Sequence, residues 1–124
     1  MNADPSVNVV VFEVSVNGSL EKLVGDGPTR ADNCVQVVWK ALATEHGVRP
    51  SGVRRIYSEW DPSVEDKAFI DATFGANVEV TYSFPRPSSN DWDRAMREVA
   101  ATIEAAGKKQ EDARPRKSWW QFWK

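Results

Sequence analysis

The spacing of apolar residues changes period along the chain, and each change marks an element. Val7 to Val16 is dense in valine and partly alternating, as a half-buried strand requires, and Asn17-Gly18 suits the two central positions of a tight hairpin turn. Ser19 to Val24 then reads as the antiparallel return strand, with Gly25-Asp26-Gly27-Pro28 expected to end it. From Cys34 to Ala43 the period lengthens: Cys34, Val35, Val37, Val38, Trp39, Ala41, Leu42 and Ala43 predict a broadly buried helix. Thr29 or Asp32 is its expected cap and Gly47 its expected C-terminal glycine.

Val53 to Tyr57 returns to strand character and runs straight into a helix signal. Asp61 or Ser63 can cap that helix, Pro62 suits its start, Glu65 and Asp66 fill its first turn, and it extends to Phe74. Asn77 to Phe84 alternates strictly through Val78, Val80, Tyr82 and Phe84, predicting a strand with one buried face. Asn90 is the expected cap of a last helix, in which Trp92, Met96, Val99 and Ile103 form one stripe. The order β-β-α-β-α-β-α predicts a three-layer α/β fold. Its mixed sheet combines an N-terminal antiparallel hairpin with later parallel strands joined by right-handed crossovers. Trp39, Phe69, Phe74, Tyr82, Phe84 and Trp92 are expected in the core.

Composition adds organisation. A chain of 124 residues, 41% hydrophobic and 27% charged, fits one globular domain. That domain is expected over residues 1–106, followed by a hydrophilic basic linker at 107–117 and an aromatic segment at 118–124. Residues 1–107 carry 10 Lys+Arg against 16 Asp+Glu, whereas 108–124 carry 6 against 2. An acidic body disfavours nucleic-acid binding through the folded domain, because phosphate contacts need a positive surface. Met1 to Pro5 lacks the basic and apolar regions of a secretory leader, and the single cysteine forms no internal disulfide, so a cytoplasmic location is expected.

The chemistry-bearing residues are few. Cys34 and His46 lie twelve positions apart on one predicted helix, which places them ~18 Å apart along its axis and precludes a shared metal. Cys34 is read as a small buried hydrophobe, His46 as a charge near a helix C-terminus, and Arg54 and Arg55 as strand-edge charges. No catalytic residue, metal site or cofactor is assigned. A groove is expected around Trp60, Glu59, Asp61, Glu65 and Asp66 at the strand-to-helix junction. Its carboxylates are the basis of an alternative reading, a Mg²⁺-dependent or divergent nucleotide- or nucleic-acid-acting enzyme.

The run Ile56-Tyr57-Ser58-Glu59-Trp60-Asp61-Pro62 leading into a helix, followed by the strand Val78-Glu79-Val80-Thr81-Tyr82-Ser83-Phe84, resembles the cytidine-deaminase-like fold, especially its bacterial toxin branch. The resemblance covers roughly Val7 to Ala106. It implies zinc ligands in a Pro-Cys-x-x-Cys motif at the start of the second helix and a His-x-Glu or Cys-x-Glu motif at the start of the first. Pro62 matches, but Ser63 and Asp66 stand at the cysteine positions, and Ala31 to Val35 contains neither first-helix motif. The resemblance therefore implies a pseudoenzyme.

Trp119, Phe122 and Trp123 fall at i, i+3 and i+4, so one helical turn would present them together, with Trp120 beside them. Clustered aromatics anchor interfaces because they bring much area at little rotamer entropy. The expected function is a non-catalytic adaptor or regulatory module in a bacterial complex, with conflict or defence systems as its setting by analogy. It would engage a protein partner through the tail and a second contact through the folded surface. The remaining readings are a tail that anchors at a membrane surface beside its lysines, and one that packs on its own domain or joins two protomers as a homo-oligomer.

Overall fold

The computed structural model describes residues 5–88 and 90–110. They form two compact units, Val7–Arg86 and the residues flanking it, and each is taken by itself.

Within Val7–Arg86 the elements are β1 (Val7–Val16), β2 (Ser19–Pro28), α1 (Cys34–His46), a single 3₁₀ turn at Pro50–Gly52, β3 (Val53–Trp60), α2 (Val64–Phe74) and β4 (Glu79–Phe84). The sheet order is β2-β1-β3-β4. β1 is antiparallel to both β2 and β3, and β3 is parallel to β4, so the sheet is mixed as expected. Asn17 and Gly18 take φ values of 50° and 84°, the left-handed pair that a two-residue hairpin turn demands.

β1 supplies Val10, Phe12 and Val14 to one face, where they pack with Leu23 of β2, Val53 and Ile56 of β3, and Val35, Val38, Trp39 and Leu42 of α1. Ile70 of α2 joins the same cluster. Phe74 places its ring 4.9 Å from Trp39 and 6.1 Å from Phe12, so three aromatic rings close the end of the core.

Four expectations need correcting. The glycines after Val24 do not end β2: Gly25 and Gly27 are strand residues facing α1. A Cβ on Gly25 would lie 2.7 Å from Val38 Cγ1, and one on Gly27 3.0 Å from Cys34 Sγ, so glycine here lets the helix approach the strand. α1 is not capped by Thr29 or Asp32; its N-cap position is Asn33, which makes no side-chain capping bond. Arg55 is not an edge residue, because β3 lies inside the sheet, where Arg55 pairs with Glu13 at 3.4 Å. Finally β4 has no buried residue, and Tyr82 is 49% exposed rather than in the core. Alternation reports the pleat of a strand, not whether another layer covers it, and α1 lies over β2 and β1 instead.

The second unit contains α3 (Trp92–Gln110), which continues into the stretch read as linker. Trp92 and Val99 of the expected stripe are buried, and Met96 and Ile103 partly so. Trp119, Trp120, Phe122 and Trp123 lie outside the described residues. Among the described residues no helix is long and apolar enough to cross a membrane.

Candidate functional site at the meeting of two helix starts

The N-termini of α1 and α2 meet beyond the C-terminal end of β3. Two peptide segments with unpaired N–H groups therefore converge on the junction that the sequence marks. Two side chains of the α2 start, Asp66 and Ser63, satisfy them. Asp66, in the first turn of α2, accepts from Val35 N–H at 3.0 Å and from Gln36 N–H at 3.2 Å, and so caps α1 from the neighbouring helix. Its own N–H donates to Ser63 Oγ at 3.0 Å, the N-cap bond of α2. The Ser63 hydroxyl in turn donates to the Asp32 carbonyl, just ahead of α1. Ser63 and Asp66 are buried.

A second polar group lies under this joint. Asn8 of β1 is buried and shares its face with Val10 and Phe12. Its amide donates to Ser58 Oγ at 2.9 Å and to Cys34 Sγ at 3.5 Å, while its carbonyl oxygen accepts from Trp60 N–H at 3.0 Å. One amide thereby links β1, β3 and the first residue of α1. Arg86 closes the rim: its guanidinium donates to the carbonyls of Thr29 and Arg30 at 3.5 and 3.3 Å and meets Asp32 Oδ1 at 3.0 Å. That triple contact pins the loop between β2 and α1.

Burial sets the electrostatics. Loss of water raises the Asp66 carboxyl above its ordinary range, and the two N–H bonds from Val35 and Gln36 pull it back only in part. Burial likewise raises the Cys34 thiol, with the Asn8 amide opposing, so Cys34 is held as a thiol. It is buried, as expected. His46 sits in the last turn of α1, the position expected.

The five residues expected to line a groove go to different places. Trp60 is buried with its ring 5.4 Å from Phe84, so it is an interior residue and not a groove wall. Glu59 points to the opposite face of the sheet, where its carboxylate accepts from Val9 N–H at 3.2 Å. Asp61 pairs with Lys67 at 3.3 Å, and Glu65 is exposed. Only Asp66 belongs to the joint. Among the described residues no three His, Cys, Asp or Glu side chains gather as a metal cluster. Nor do the residues at the implied cysteine positions fit zinc: Ser63 is a poor ligand, and both Asp66 oxygens are engaged by N–H groups.

Asn8 and Arg86 escaped the sequence reading. Asn8 had a signal, being an amide on the apolar face of a valine-rich strand, where burial without partners is costly. Arg86 had only its place between Pro85 and Pro87. No family model, curated protein or solved structure matches the chain.

Proposed function

We propose that the chain is a non-catalytic protein-interaction module, an adaptor or regulatory subunit of a bacterial complex, working in the cytoplasm on a deaminase-like scaffold. The observation that carries the proposal is the Asp66–Ser63 joint. At the place where the resemblance puts catalytic ligands, the side chains instead bond to the backbone ahead of and within α1. The resemblance itself is supported by the way α1 and α2 bring their first turns together beyond β3. The expected carboxylate site loses ground because Glu59, Asp61 and Asp66 have separate structural partners.

Recognition is assigned to the C-terminal aromatics Trp119, Trp120, Phe122 and Trp123, with the folded surface as the second contact. Two contacts joined by a hydrophilic linker raise each other's effective concentration, so a short aromatic segment of modest affinity suffices. The test is affinity capture from cells of the natural source, with the full chain and with a chain ending at Lys117. A protein held by the full chain and lost on truncation supports the reading if it also binds the purified full chain. Flotation of the full chain with anionic vesicles, with no such protein found, assigns the tail to a membrane surface and overturns it.

A further inference from the structure

The sheet ends in two edges that differ in kind. β2 carries Gly25, Gly27, Pro28 and Lys22, residues that discourage a further strand from pairing. β4 reads Glu-Val-Thr-Tyr-Ser-Phe, without glycine, proline or a basic residue, and among the described residues only β3 pairs with it. On the face it shares with Ile56, Val80 is 37% and Tyr82 49% exposed. On the opposite face Thr81 Oγ1 is buried with no hydrogen-bond partner among the described residues.

We infer that β4 is a self-association edge, which pairs antiparallel with β4 of a second copy of this chain to make one continuous eight-stranded sheet. Self-complementarity selects this occupant. A two-fold axis normal to the sheet keeps corresponding faces of both copies on the same side, so each β4 residue opposes only residues of its own face. Centring the axis on Thr81 puts Val80 opposite Tyr82 twice, a β-branched–aromatic pair. It also places Glu79 opposite Ser83, so that no like charges meet. The two Thr81 side chains then oppose each other at the axis with Cβ atoms ~5 Å apart. Centring on Tyr82 instead opposes two tyrosines and brings Pro85, which has no N–H, into the ladder. Centring on Val80 sets Glu79 against Thr81 and leaves Ser83 and Phe84 beyond the pairing. Of the three registers, only the Thr81-centred one pairs the exposed Val80 with the exposed Tyr82 while keeping proline out of the ladder.

Two six-residue edges bury well under the ~1,600 Å² of a standard interface, so the dimer is weak and concentration-dependent. This association needs no tail, so it fails or stands separately from the docking reading. The test is sedimentation velocity of the full chain from about 10 µM to about 1 mM, a range that spans weak dissociation constants. The expected result is a sedimenting mass that rises towards twice that of the monomer. T81K and T81E should each remain monomeric, since each places two like charges at the axis, and an equimolar mixture should recover the dimer. Y82K, changed at a half-exposed position, should also be monomeric while keeping the wild-type melting curve, which guards against misfolding of the Thr81 variants. A wild-type chain that stays monomeric throughout overturns the inference. So does a Y82K chain that is folded and dimerises as the wild type does.

Discussion

Removing the Asp66 carboxylate leaves two backbone N–H groups, the buried one of Val35 and the part-buried one of Gln36, without their acceptor. An orphaned buried donor costs ~1–3 kcal/mol, so Asp66→Ala should lower stability by about 2–4 kcal/mol in denaturant titration, far more than loss of an exposed cap. A loss below about 0.5 kcal/mol would mean that the joint is ornamental. The pH dependence is separate and has a definite sign. Because burial raises the folded-state carboxyl above its ordinary 3.8, the folded chain holds that proton more tightly than the unfolded one. The resulting stability is fully present below the ordinary value and is lost as pH climbs through the raised one. Wild type should therefore lose stability relative to Asp66→Asn as pH rises from about 4 towards neutrality. Chemical denaturation of both chains at matched pH checks this, and a wild type that gains over that window would show the two N–H bonds outweighing burial.

At the scale of elements, α1 approaches β2 closely at Gly25 and Gly27. A methyl group on Gly25 would sit 2.7 Å from Val38 Cγ1, and Val38 is β-branched and held to one helical rotamer, so it cannot swing aside. The helix must move instead. Gly25→Ala gains ~0.4–1 kcal/mol by stiffening the unfolded chain, but overpacking costs ~1–3 kcal/mol, so a net loss of about 1–2 kcal/mol is expected in the same titration. An unchanged midpoint would show that the helix moves freely.

The same elements show what a sequence reveals. Asn17-Gly18, Ser63 as a cap and the apolar spacing of α1 are local signals, and each corresponds to a local feature of the structure. The glycines of β2 were misread because a glycine that breaks a strand and one that admits a helix are identical in sequence. The Asp66 cap was hidden for a related reason: its acceptor and its donors are about thirty residues apart, and only the fold brings them together. The groove expected at Trp60 failed on direction, since Glu59 and Trp60, adjacent in a strand, must point to opposite faces.

For the whole molecule, the distribution of function follows the distribution of satisfied groups. The joint between α1 and α2 is closed on itself, with Asn8, Ser63 and Asp66 bonded inside the fold, and it acts as a fastening for the two helices. The two interaction surfaces proposed above are the aromatic segment at 118–124, with four large rings in seven residues, and the edge of β4 that no other strand pairs with among the described residues. The two proposals are independent, so a chain truncated at Lys117 should still self-associate through β4 while losing the partner proposed for the tail.

The most direct test of the central proposal is quantitative affinity capture from the natural source with the full chain and the chain ending at Lys117, followed by binding of any differential protein to the purified full chain. The account predicts one or a few proteins enriched by the full chain, lost on truncation and bound directly by the purified protein. Identical captured sets from the two chains would contradict it.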